Sequence, residues 1–147
     1  MKVPKFVLAL VFCGSLAVGA VANDGWGRDS SYTKLYNPDT VKTITGKIVS
    51  VNRESRPLKG MGPGFSVVLK DDSGVATEAQ VGPAWFTSFY KEKWNAKVGD
   101  KVSVTGSVVD VGGKSVMIVQ QGSKGDLKMT CRNKNGLPVW DLNVSDF

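Results

Sequence analysis

Apolar and polar positions alternate through several short stretches of the chain, and each alternating stretch ends in turn chemistry. The clearest runs from Lys101 to Val109, launched by Gly99-Asp100 and interrupted by Gly106. Alternation of this kind buries one face of a strand and wets the other. A glycine inside it marks a bulge or a sharp bend. A second copy of the pattern runs from Val41 to Val51, with Gly46 in the same role. Two bent strands in one small domain point to a closed barrel.

The remaining elements follow from the same signals. Phe65 to Lys70 alternates, with Phe65, Val67 and Leu69 inward and Ser66, Val68 and Lys70 outward. Asp71-Asp72-Ser73-Gly74 has hairpin-turn chemistry. Val75 to Val81 follows, with Val75, Thr77, Ala79 and Val81 inward and Ala76, Glu78 and Gln80 outward. Pro83 to Trp94 carries apolar residues at helical spacing behind an initial proline, which predicts a short amphipathic helix. Its Phe86 and Phe89 are expected to plug one end of the barrel. Gly112-Gly113 turns the chain into a fifth strand, Ser115 to Gln120. Asp126 to Arg132 and Leu137 to Trp140 then predict a further hairpin around Asn133-Lys134-Asn135-Gly136.

Strand, loop, hairpin, helix, hairpin is the order of an OB-fold. The expected class is all-β: a five-stranded OB-fold barrel with one short helix between strands 3 and 4 and an extra C-terminal β-hairpin. Three stretches carry a family resemblance as well. They are Asp39-Thr40-Val41 leading to Gly46-Lys47-Ile48-Val49, then Leu69 to Gly74, then Gly99 to Asp110. Residues 39 to 120 resemble the exported bacterial OB-fold proteins, which are small periplasmic barrels. The ending Arg132 to Trp140 is similar to that of exported OB-fold proteins of proteobacteria. The resemblance implies a fold and a compartment, and more loosely a link to envelope stress. The longer glycine-rich loop, the aromatic helix and the C-terminal hairpin depart from its pattern.

The first residues stand outside this scheme. Lys2 and Lys5 precede an apolar run, Phe6 to Val18, and Ala20-Val21-Ala22 has the small-x-small form of a cleavage site. Residues 1–22 are therefore expected to be a signal peptide cleaved after Ala22, making the protein periplasmic or secreted. Residues 23–38 are polar and glycine-bearing and read as a flexible leader. Trp26, Tyr32 and Tyr36 are unusual there and are expected to pack on the domain. The OB-fold domain is expected over 39–122, and the C-terminal hairpin and tail over 123–147.

Charge and residue content narrow the chemistry. The chain carries a net charge of +6 over 147 residues, and loss of Lys2 and Lys5 with the signal leaves +4. That is milder than the field of a dedicated nucleic-acid binder. There are no histidines. This excludes histidine zinc sites, Ser-His or Cys-His nucleophiles and haem attachment through C-x-x-C-H. No carboxylate constellation or calcium-loop pattern stands out, so no catalytic residue, metal or cofactor is assigned. Cys131 remains alone after cleavage and alternates with Leu127 and Met129, while Lys128, Thr130 and Arg132 take the other face. It is read as a buried thiol, with redox pairing as the alternative.

Binding is the remaining class. The loop from Asn52 to Gly64 carries Arg53, Arg56 and Lys59 beside Gly60, Gly62 and Gly64, a composition suited to an anion or an acidic peptide. Exposed members of the aromatic helix, Trp85, Tyr90 and Trp94, add a surface for docking a partner. Candidate binding residues are thus Arg53, Arg56, Lys59, Gly62, Trp85, Tyr90 and Trp94. The expected function is a non-catalytic module that binds an envelope or periplasmic protein, with a small-ligand or ion-binding stress protein as the alternative. Single-stranded nucleic acid is disfavoured, because the outward positions of strands 2 and 3 offer no aromatic platform.

Overall fold

The computed structural model describes residues 24–90 and 95–142, with the Tyr90 side chain excepted. The expected signal segment, 1–22, lies outside the described residues.

Six strands build one sheet: β1 (Val41–Ser55), β2 (Gly64–Lys70), β3 (Ala76–Pro83), β4 (Lys101–Val111), β5 (Lys114–Lys124) and β6 (Leu127–Thr130). Their order is β3-β2-β1-β4-β5-β6, and β3 also pairs with β5 in parallel through Ala79–Met117 and Gln80–Ile118. That pairing closes β1 to β5 into a barrel with OB-fold connectivity. Ile48, Val67, Leu69, Val102, Val104 and Met117 fill its interior.

Gly106 is where the barrel bends. The β4–β5 register shifts between Thr105 and Gly106, and a Cβ here would drive into the Ile118 carbonyl oxygen. In β1 the glycine and the bulge separate. Gly46 lets the Lys70 carbonyl pass 2.5 Å from where its Cβ would stand, whereas the register shift falls further along, at Val49 between Ile48 and Ser50.

Several expectations need correction. The expected flexible leader, 23–38, is from residue 24 onward part of a strap, residues 24–40, packed on the domain. Trp26, Tyr32 and Tyr36 are buried and form a second core with Met61, Val111, Val116 and Ile118, on the outside of the β3–β5 junction. This strap changes the face assignments. Ser66 and Gln80 point outward as expected, yet they are buried, because the strap covers them. Val75 lies in the turn before β3 and is exposed.

Over its described residues the helix departs from its pattern. One α-turn, α1 (Ala84–Thr87), passes into a 3₁₀ turn at Ser88–Tyr90. The tighter winding breaks the 3.6-residue stripe. Phe86 is buried as expected, but Phe89 is 77% exposed and plugs nothing. Residues 91–94, Trp94 among them, lie outside the described residues.

The C-terminal hairpin forms with a different partner. β5 continues to Lys124 and pairs with β6 across a turn at Gly125-Asp126. The predicted turn at Asn133–Gly136 is present: the Asn133 carbonyl accepts from Gly136 N, and its side-chain oxygen from Asn135 N and Leu137 N. Only the Arg132–Pro138 bridge follows it, and then a 3₁₀ turn at Val139–Asp141.

Candidate functional site

The loop between β1 and β2 and the strap are built against each other. The Trp26 indole N–H donates to the Gly62 carbonyl at 3.0 Å, and Gly62 N donates to the Asp24 carbonyl at 2.7 Å. Gly64 lies under the Trp26 ring, so closely that a Cβ would overlap it. Trp140 locks the other side, donating its indole N–H to the Trp26 carbonyl at 2.8 Å and packing on Phe86 at 4.7 Å between ring centroids. Of the three glycines that suggested a pliable binding loop, Gly64 is required because a tryptophan sits on it, Gly60 takes a positive φ of 87° in open space, and Gly62 lies against Asp24.

The cations of this loop divide by role. The Arg53 guanidinium lies 4.7 Å above the ring of Phe65, capping the barrel core. Arg56 Nη1 donates to the Met61 carbonyl at 2.6 Å and sets the shape of the loop. Lys59 is exposed and has no partner among the described residues. It lines an open cleft of about 370 Å³ between strap residues 25–32, loop residues 58–61 and Asp141. Asp29, Ser30 and Met61 also line it. The Asp141 carboxylate accepts from Arg28 N at 2.8 Å, which ties the C-terminal turn to the strap.

Trp85 joins the same region. Its indole N–H donates to the Asp24 carboxylate at 2.9 Å, and Asp24 also holds Gly62. Asp24 thus stands between the helix and the loop. Trp85 is 40% exposed, and Phe89 lies one turn further along. Of the seven candidate residues, the structure brings Gly62, Lys59 and Trp85 together around the strap. Arg53 and Arg56 support the loop, and Gly62 has both backbone groups occupied.

Alternation also misplaced Arg132, which it put on the solvent side with Lys128 and Thr130. The side chain is buried between Tyr32 and Trp140, 5.6 and 5.3 Å from their ring centroids. Its Nη1 donates to the Gly136 carbonyl and to Thr33 Oγ1, while Nε has no partner among the described residues. No carboxylate pairs with it among the described residues, and burial lowers its pKa. Cys131 beside it is fully buried, as expected, and burial pushes its thiol up to about 12. The thiol stays protonated and enclosed.

With this geometry in place, the comparison with protein families becomes informative. The model of the MamS/MamX magnetosome protein family matches residues 40–129, from the end of the strap through β6. The chain belongs to this family. Within the MamS/MamX chain, the matched span contains the barrel, the β1–β2 loop and α1, while Trp26, Tyr32 and Trp140 lie outside it. A search of the curated proteins finds no match. Among solved structures, the dimeric N-terminal domain of the PriB protein from Thermoanaerobacter tencongensis is similar at 16% identity. The match covers 58% of this chain and 96% of that one, with a TM-score of 0.39. Among the described residues, no helix is long and apolar enough to cross a membrane.

Proposed function

We propose that this MamS/MamX protein is a non-catalytic, exported binding module that docks a protein partner at the cleft between the strap and the β1–β2 loop. The observation that carries the reading is the cleft's charge content. One unpaired ammonium, Lys59, faces two carboxylates, Asp29 and Asp141, above the apolar floor of Met61. A bare anion would meet two like charges there. A polypeptide segment offers both signs and apolar area at once. Trp85 and Phe89 supply exposed aromatic surface of the kind that anchors interfaces. Family membership supports a partner among the proteins of the magnetosome, and the basic start with its apolar run supports export.

A photo-crosslinking amino acid at Lys59, at Phe89 and at Asp72 in the remote β2–β3 turn tests this in cells. The first two positions should capture one common partner, and Asp72 should not. Capture of the same species from all three positions, or from none, would rule the cleft out. The small-ligand alternative predicts instead that a compound stabilises the isolated protein, by about 2.7 kcal/mol at one hundred times its dissociation constant, seen as a raised melting temperature.

A further inference from the structure

The barrel sets three lysines abreast. Lys47 on β1 pairs directly with Lys70 on β2 and with Lys101 on β4. Directly paired residues project from the same face of a sheet, and all three are exposed. Like charges placed opposite each other in this way destabilise a sheet. Nothing relieves the row: none of the three has an ion-pair partner among the described residues. The carboxylates at its two ends are engaged elsewhere. Asp71 accepts from Ser73 and Val75 inside its turn, and Asp100 accepts from Lys124 Nζ and Lys97 N. A repulsive row kept without neutralisation is what a site for an anion needs.

The surface beside the row is chemically uniform. Next to Lys47 and Lys101 stand two hydroxyl pairs, Thr45–Ser103 and Thr43–Thr105, each 2.7 Å apart. A hydroxyl pair uses one of its two protons internally, so the other proton and the free lone pairs face outward. The rows continue across β5 and β6 through Ser123 to Lys128 and through Gln121 to Thr130. Ser123 and Gln121 make no side-chain hydrogen bond among the described residues. A shallow concavity of about 250 Å³ lies over these positions. The lysine row and the two hydroxyl rows contain no carboxylate and no aromatic ring. This face is also separate from the β2–β3 face that OB-folds commonly use for ligands, where the strap buries Ser66 and Gln80.

We infer that the β2–β1–β4–β5–β6 face binds an acidic polysaccharide, with the lysine row holding its anionic groups and the hydroxyl and amide donors holding its sugar oxygens. Single-stranded nucleic acid would want aromatic platforms for its bases. A lipid surface would want apolar side chains to insert. The face offers no aromatic ring, and its exposed large apolar side chains are two scattered ones, Val49 on β1 and Leu127 at the start of β6, too few to insert; its unpaired donors match an oxygen-rich chain. This inference is independent of the cleft.

Heparin serves as the probe, with neutral dextran, a thymidine oligonucleotide and phosphatidylglycerol vesicles as the other arms. Heparin should bind in preference to all three. Lys47→Gln/Lys70→Gln/Lys101→Gln should weaken heparin binding by roughly tenfold or more. The same variant should melt at or above the wild-type temperature, since it relieves repulsion. Thr45→Val/Ser103→Ala, which leaves every charge in place, should also weaken heparin binding, whereas Lys59→Gln should not. Equal or tighter binding of the oligonucleotide or the vesicles would overturn the inference. So would undiminished heparin binding by either multiple variant.

Discussion

The Tyr32 hydroxyl donates to the side-chain oxygen of Gln80 at 2.7 Å, 48 positions away and inside the fold. Gln80 passes the chain outward, donating to Glu78, which accepts from Lys114 at the surface. A strap residue thereby satisfies a polar side chain on the outer face of the barrel. Tyr32→Phe leaves Gln80 Oε1 buried without its donor and should cost about 1–2 kcal/mol. Tyr32→Phe combined with Gln80→Leu should cost less than the two single changes added together. Chemical denaturation of the three variants gives the coupling directly.

Gly106→Ala and Gly64→Ala should fail in different ways. At Gly106 the new methyl group meets the backbone of β5, so the barrel itself must open, at a cost of about 3 kcal/mol. At Gly64 it meets the ring of Trp26, and the strap can move away instead. Gly64→Ala should therefore shift tryptophan emission to the red while the barrel's strand signal in circular dichroism survives. Equal loss of strand signal in both variants would contradict a separable strap.

Among the described residues Arg132 is a buried cation without an anion, held by two rings and two oxygens. Arg132→Met keeps most of the packing and removes the desolvated charge but leaves the buried Gly136 carbonyl without its donor, and should cost about 1–2 kcal/mol. Arg132→Ala leaves a cavity between Tyr32 and Trp140 and should cost about 3 kcal/mol. Thermal melts of the two variants separate packing from charge.

The Cys131 thiol ionises near 9 in an exposed chain and near 12 in the fold. An acid whose pKa is raised by folding keeps its proton in the native state after the unfolded chain has lost its own. Stability should therefore fall as pH rises from about 9 through about 12. Burial raises Tyr32 and Tyr36 in the same direction. Cys131→Ala should reduce this alkaline loss, seen as a smaller shift of the denaturation midpoint with pH. Thiol reagents should label native Cys131 only as fast as the protein unfolds.

The Lys124 ammonium, hydrogen-bonded to Asp100, holds that carboxyl below its ordinary 3.8. A depressed acid contributes stability above its unfolded pKa and loses it as pH falls through the folded value. Asp100→Asn should lower stability at neutral pH and flatten the loss below about pH 4, measured by urea denaturation across the acid range.

The strands were legible because period two is a local property. Phe65, Val67 and Leu69 point inward whatever covers the other face, and the Asp71–Gly74 turn needs only its own side chains. The helix was half legible. Phe86 follows the α-helical spacing, whereas Phe89 lies where the winding tightens to 3₁₀ and the spacing no longer applies. For Arg132, alternation assumes that an outward residue meets water. A strap already occupies that side. The unusual aromatics at Trp26, Tyr32 and Tyr36 were the available signal that something packs there.

By itself the sequence determined the barrel: alternating strands, Gly106 at the bend, and turns whose residues dictate their own conformation. These depend on interactions between near neighbours, so they can be read position by position. Tertiary structure decided everything about the surfaces. It covered Ser66 and Gln80, enclosed Arg132, assigned Arg53 and Arg56 to support, and aligned Lys47 with Lys70 and Lys101. Those outcomes depend on which distant segments meet and in which register, and no local pattern carries that information.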